Sequence, residues 1–193
     1  MDRATLKSMA KEQIKGNIGI LFVISLVLYL VGIAMSFIPL VGSIASLLIT
    51  PALTLGMINI YLNLTNGVKP EVAGLFSYVK KFWPAFKTYI LMVVYIFLWM
   101  LLLYIPGIIK GIAYSQTMYI MAENPDMGAN EAITRSREMM DGHKMEYFLL
   151  NLSFIGWIIL GIFTFGILYI WLMPYMQATM TNYYKYLKGE IVA

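Results

Sequence analysis

The sequence predicts an all-α, polytopic membrane protein: six transmembrane helices paired as three helical hairpins, with amphipathic cytoplasmic helices connecting them. Three observations carry this expectation. The 193 residues are 60% hydrophobic and only 12% charged, whereas soluble domains run about half apolar and about a quarter charged. Three tracts, residues 16–68, 88–109 and 147–184, contain no Asp, Glu, Lys or Arg. About 20 apolar residues span a bilayer core, so the first and last tracts are each long enough for two crossings. Finally, the cations are segregated between the tracts, as in chains whose orientation is set by charge.

Each element follows in order. Residues 1–15 read as a cytoplasmic amphipathic helix, with Leu6, Met9, Ala10 and Ile14 on one face and Lys7, Lys11 and Lys15 recurring every fourth residue along its flank. That spacing suits a helix lying on an anionic membrane surface, with the lysines among the headgroups; the alternative is that the lysines only set topology. Although these lysines precede an apolar run as in a signal peptide, the run is longer than a typical cleaved segment, and retention is expected. Hairpin one, residues 16–64, crosses over 18–38, turns at Pro39-Leu40-Val41-Gly42 and returns over 43–64. A connector, 65–87, carries the amphipathic stretch LFSYVKKFWPAF. Hairpin two, residues 88–122, turns at Pro106-Gly107, and its return arm is the least apolar of the six.

The second cytoplasmic connector, 123–146, contains ENPDMGANEAITRSREMMDGHK. A helix is expected to start at Pro125, with Ala129, Ala132, Ile133, Ser136 and Met140 on one face. Glu131 with Arg135 and Arg137 with Asp141 have the four-residue spacing that supports an exposed helix. Hairpin three, residues 147–187, breaks at Thr164-Phe165-Gly166. Helices rather than strands are expected throughout, because lipid-exposed backbone must satisfy its own hydrogen bonds and strand-like alternation is missing from the sequence.

Of the 14 Lys and Arg residues, all but Lys110 fall before hairpin one, between hairpins, or after hairpin three. The turns around Pro39, Pro106 and Phe165 are uncharged, so the positive-inside rule places both termini in the cytoplasm. An internal repeat reinforces the three-unit reading. LKSMAKEQIKGN and ITRSREMMDGHK both set an amphipathic helix before a glycine, Gly16 and Gly142, and a long apolar helix follows each. Pro51 and Pro174 sit alike in the return arms, with Tyr61 and Tyr183-Tyr184 about ten residues on. The middle unit fits less well, with Ser115 where the other arms have proline.

Chemistry-bearing motifs are scarce. The chain has no cysteine and one histidine, so disulfides and thiolate sites are excluded and His143, beside Asp141, is expected to be solvated. HExxH, GxSxG and glycine-rich phosphate-loop motifs do not occur, and no cofactor or enzymatic activity is expected. Nucleic acid is not an expected partner despite the net charge of +4, because the basic residues flank apolar spans.

Lys110 is the anomaly. It lies four residues past the turn at Pro106, about 6 Å along a helix, with no acidic partner expected at its depth. It either snorkels to the outer headgroups or faces the bundle as a contact for a lipid or anion, with Tyr114 and Gln116 as candidate companions. Gly107, Gly111 and Ser115 form a small-residue stripe suited to close helix packing. Asn59, Asn151, Ser153 and Gln177 could hydrogen-bond across the bundle.

The segment NEAITRSREMMDGHKMEYFLLNLSFIGW, followed by MPYMQATMTNYYKYL, resembles the bacterial polytopic membrane family catalogued as domain of unknown function 975, and LKSMAKEQIKGN is similar to that family's opening. The most specific residues are Ser136 to Gly142 and Ser153-Phe154-Ile155-Gly156-Trp157. The resemblance implies a multi-pass protein of the bacterial plasma membrane with six helices, and implies no catalytic residue. The function expected is that of a non-enzymatic accessory or envelope factor binding membrane lipids or a membrane protein partner, with a homo-oligomer in view. The alternative is a small transporter or flippase-like carrier for an anionic or amphiphilic molecule, for which helices broken at Pro51 and Pro174 would be suited.

Overall fold

The computed structural model describes residues 2–38 and 41–191, and their regular structure is helical. Helix α1, Arg3–Ile14, is capped by Asp2, whose carboxylate accepts from the Ala4 and Thr5 amides at 2.9 and 3.2 Å; an N-cap of this kind satisfies donors the helix cannot. Gly16, at φ +81°, ends it, a left-handed conformation that glycine adopts without a Cβ clash. Helix α2, Ile18–Ser36, follows. The turn expected at Pro39-Leu40-Val41-Gly42 begins on two residues, 39 and 40, that lie outside the described residues. Helix α3, Val41–Thr65, runs through Pro51 without interruption, because one proline removes only one backbone donor. Two 3-10 turns, Val72–Phe76 and Val79–Lys81, lead into α4, Phe82–Leu102. That helix starts ahead of the expected Thr88 because Pro84 falls in its first turn, where its missing N–H costs nothing.

Residues 88–122 depart from the continuous return arm expected of a second hairpin. Leu103 is extended, α5 spans Tyr104–Ala113, and α6 resumes only at Thr117–Glu123. Helix α7, Ala129–Met139, begins after Gly128 rather than at Pro125, and Glu131 pairs with Arg135 at 3.0 Å. The expected Arg137–Asp141 pair is not formed. The helix has ended by then, and Gly142, at φ +76°, turns the chain so that Asp141 meets Lys144 instead, at 3.2 Å. Helices α8, Lys144–Leu152, and α9, Ile155–Phe163, are separated at Ser153-Phe154. After the expected break, where Phe165 and Gly166 both take positive φ, α10 runs over Tyr169–Leu187, continuous through Pro174. The helix interruptions thus lie at 114–116 and 153–154, not at the prolines.

Four stretches are long and apolar enough to cross a membrane: Ile18–Ser36, Ile44–Thr65, Val72–Leu101 and Lys144–Phe163. The sequence expectation was six. The two remaining arms are too polar to qualify: residues 104–123 carry Lys110, Ser115, Gln116, Thr117 and Glu123, and the second half of α10 carries Gln177, Thr179, Thr181, Asn182 and Lys185.

Packing explains this division of labour. The return arms α3, α6 and α10 gather at the centre: α3 packs on both others, while α6 and α10 join through the stacked rings of Tyr119 and Tyr184, 5.1 Å apart, and through Gln177 Nε2, which donates to the Tyr119 hydroxyl at 3.1 Å. Each outgoing arm sits outside its own return arm and that of the unit before it: α2 against α3 and α10, α4 against α5 and α3, α8 against α5 with α9 against α10. Each amphipathic lead-in packs on the return arm of the preceding unit: the 3-10 turn Val72–Phe76 on α3, α7 on α6, and α1 on α10. The last contact joins the first unit to the third and closes a ring of three.

The repeat is visible in what is buried. Leu6, Ala10 and Ile14 precede Gly16 at the spacing at which Ala132, Ser136 and Met140 precede Gly142, and all six side chains are at most 1% exposed. The apolar face of α1 is therefore covered by α10 rather than presented outward. The far ends of the return arms are tied together. Glu123 accepts from the Tyr184 hydroxyl at 2.7 Å and from Lys188 at 2.8 Å, and Lys185 reaches Asn66 at 2.5 Å. The outgoing arms, by contrast, leave Tyr29, Leu30, Phe97, Leu98, Leu101 and Phe163 exposed, large apolar side chains of the kind that meet lipid or another protein.

Candidate functional site

The site grows out of the interruption between α5 and α6. A helix that stops leaves carbonyls and amides without intrahelical partners, and burying them unpaired costs about 1–3 kcal/mol each. Ser136 of α7 supplies both partners: its hydroxyl donates to the Ala113 carbonyl at 2.8 Å and accepts from the Gln116 amide at 3.2 Å. This contact, together with Ala132 and Ile133 buried against α4, α5 and α6, lays α7 across the break. A second tether, the Tyr95 hydroxyl donating to Asn130 Oδ1 at 2.9 Å, holds its start against α4.

With α7 so placed, its next residues face the last turn of α5. A cleft of about 350 Å³ opens there, lined by Ile109, Lys110 and Ala113 of α5, Thr134, Arg137 and Glu138 of α7, Asp141 of the turn, and Lys144 of α8. The Lys110 ammonium stands over the Trp99 ring, 4.6 Å from its centroid, a cation–π contact that holds the cation in place. Among the described residues, Lys110, Arg137 and Glu138 form no ion pair, while Lys144 is engaged by Asp141. The structure thus puts two acidic side chains beside Lys110, where the sequence reading expected none, and groups it with Arg137 and Lys144 from the connector. Lys110 is still four helical residues past Pro106; what groups it with the connector residues is the packing of α7 on α4 and of α8 on α5.

The other residues singled out from the sequence scatter. Tyr114 and Gln116 are buried, 3% and 1% exposed; Tyr114 packs with Tyr95 and Ile133, and Gln116 Nε2 donates to Ser115. Neither reaches the cleft. In the small-residue stripe, only Gly107 marks a close approach: a Cβ there would lie 2.4 Å from Met100 Cγ, whereas one on Gly111 meets nothing within 4 Å. On α1, the Lys7 ammonium stands 4.2 Å over the Phe154 ring and donates to the Ser153 carbonyl at 3.4 Å. Burial, assisted by Arg3 and Lys11, lowers its pKa from the ordinary lysine value. Lys11 lies over Tyr175 at 5.6 Å, and Lys15 caps the end of α1. Of the four residues expected to bond across the bundle, Gln177 does so; Asn151 and Ser153 bond to their own helix, and Asn59 lines a groove beside Lys69 and Glu71.

His143 is half exposed, with Nδ1 2.8 Å from a Glu146 oxygen. Among the described residues, no group of three or more His, Cys, Asp or Glu could hold a metal. Two features escaped the sequence reading: Ser136 as a bridge across the helix break, and the Glu123–Lys188–Tyr184 knot. The first leaves no local signal beyond a serine on the apolar face of an amphipathic helix.

The chain matches no curated protein and no solved structure. A family model described as protein of unknown function, DUF975, matches residues 1–110 and 100–190, which span the first lead-in, the helix break, the Ser136 bridge and α10. On that match the chain belongs to the DUF975 family.

Proposed function

We propose that this protein is a six-crossing integral protein of the bacterial plasma membrane, with both termini and all three lead-ins cytoplasmic, which works without catalysis by binding a membrane lipid or membrane partner. In this reading α6 and α10 cross in the covered centre of a bundle whose outgoing arms face lipid, so their polarity and the break at 114–116 are tolerated where other helices cover them, while α5 keeps an exposed apolar side. The observation that carries the binding role is the cleft beside α5. Two cations that form no ion pair among the described residues, Lys110 and Arg137, stand in it next to the exposed apolar residues Ile105, Ile108 and Ile109, a meeting of positive charge and greasy surface that suits the boundary of a bilayer.

Two experiments test this. Single cysteines at Asn124 and Phe165, probed with a membrane-impermeant thiol reagent in intact cells, should label from opposite sides; labelling from the same side removes the six-crossing topology. Purification from native membranes, followed by extraction of what remains bound, should recover lipid or a membrane protein above the level found with an unrelated helical bundle. Recovery of neither removes the binding role.

A second reading, a carrier for an anionic or amphiphilic molecule, is favoured by one observation. At the interruption of the return arm, Gln116 Oε1 and Thr117 Oγ1 are buried without hydrogen-bond partners. Unwound helix with free polar atoms is how carriers build substrate sites. Reconstituted vesicles that move a labelled anionic lipid faster than protein-free vesicles, and lose that rate in Lys110→Met, would favour the carrier over the static binder.

A further inference from the structure

We infer that the cleft between α5 and α7 takes the headgroup of a phospholipid that carries a primary amine, with its phosphate on Lys110 and Arg137 and its ammonium on Glu138. The inference rests on the lipid-binding reading above and names the ligand of that site. Its basis is the set of charges in the cleft that form no ion pair among the described residues. Lys144 and Asp141 neutralise one another at 3.2 Å, and Glu131 is occupied by Arg135 at 3.0 Å, one turn before the cleft. What remains to be answered by an occupant is two cations from two different helices and one carboxylate. A phosphodiester monoanion complements the cations, since guanidinium and ammonium donors bind phosphate oxygens well. An adjacent ammonium complements Glu138.

Shape and surroundings agree with this ligand. At about 350 Å³ the cleft lies at the small end of ligand sites, suited to a headgroup rather than a whole lipid. Lys110 is positioned in advance by the Trp99 ring, so less side-chain freedom is lost on binding. The acyl chains have a route out, because Ile109 lines the cleft while Ile105 and Ile108, on the same helix, are 69% and 42% exposed. A strongly anionic polymer is disfavoured, since Glu138 and Asp141 stand in the same opening.

The full chain, in nanodiscs of equal parts phosphatidylethanolamine, phosphatidylglycerol and phosphatidylcholine, is released into mild detergent and the retained lipid identified by mass spectrometry. Wild type should retain phosphatidylethanolamine about tenfold over phosphatidylcholine, whose quaternary nitrogen has no N–H to donate to Glu138. Lys110→Met and Arg137→Gln should each lower total retention about tenfold, while Lys110→Arg keeps it. Glu138→Gln should leave phosphate-bearing lipid bound but erase the preference for the amine. Inorganic phosphate added in excess should not displace the lipid; displacement would assign the cleft to free phosphate and overturn the inference.

Equal retention of the three lipids, or retention indifferent to Lys110→Met in protein that elutes and unfolds as wild type, also overturns it. The latter result would leave a lipid-binding role intact elsewhere on the surface. Loss of all lipid from wild type itself would remove the broader reading as well.

Discussion

Replacing Ser136 with alanine tests the centre of this structure. The serine hydroxyl is completely buried and is the partner of both the Ala113 carbonyl and the Gln116 amide. The backbone does not cover for it, because the Thr117 amide, which would reach Ala113 in a continuous helix, bonds Tyr114 instead. Ser136→Ala removes one oxygen and strands a donor and an acceptor. At about 1–3 kcal/mol for each unsatisfied buried group, less the hydroxyl desolvation that alanine avoids and any local tightening of the helix, the loss should be roughly 2–4 kcal/mol. For a chain of this length, each kcal/mol corresponds to roughly 2–4 °C of melting temperature, so the variant should melt roughly 5–15 °C lower.

Tryptophan fluorescence during heating in detergent reads the shift, and hydrogen exchange reads its location: the Gln116 amide should lose protection ahead of the rest of α6. Ser8→Ala is the matched control, since Ser8 is exposed and bonds only to the Thr5 carbonyl within α1; it should change stability by less than about 0.5 kcal/mol. A Ser136→Ala protein that melts with wild type and protects Gln116 equally would refute the account of the helix break.

Three further outcomes follow from other contacts. Gly56→Ala places a Cβ 2.1 Å from the Leu75 carbonyl oxygen, forcing the second lead-in off α3; a loss of about 1–3 kcal/mol is expected, and unchanged thermal stability would count against that close approach. Leu6→Ala opens a hole beneath the ring-closing helix, at a site 0% exposed, and should cost about 2–5 kcal/mol; limited proteolysis should then cut α1 free first, and cleavage beginning elsewhere would argue against α1 as the closure. The C-terminal knot sets an alkaline limit. Burial by itself would lower the Lys188 pKa, but its bonds to Glu123 and Glu190 raise it above the ordinary 10.5. A raised lysine stabilises the fold fully below its unfolded pKa and less as pH climbs through the folded value, so wild type should lose stability above pH 10.5 more steeply than Lys188→Met, and parallel pH profiles would dismiss the knot.

The sequence carried much of the local structure. Gly16 and Gly142 end the two amphipathic helices as their repeated spacing suggested, and both have positive φ. The break at Thr164-Phe165-Gly166 falls where it was expected, and Glu131–Arg135 forms. These features depend on neighbours within a few residues, where helix periodicity and glycine geometry act directly. Other expectations were off where a local rule was extended too far. Proline was taken to break α3 and α10, yet both run through it, while the true interruption at 114–116 has no proline and exists because a serine 20 residues away satisfies the freed backbone. The candidate companions Tyr114 and Gln116 share a helical arm with Lys110 in the sequence but are separated from its cleft by that break.

By itself, then, the sequence determined the helical class, the apolar tracts, the repeated spacing of the amphipathic helices before Gly16 and Gly142, and the helix-ending glycines, because hydrophobic transfer and backbone sterics are properties of short segments. Only the tertiary structure decided that α1 closes onto α10, that the polar return arms occupy the centre, and that Lys110 shares a cleft with Arg137 and Glu138. Those outcomes join residues from separate helices. A contact of that kind is selected by how whole surfaces fit and which buried polar groups find partners, and no window along the chain contains both sides of it.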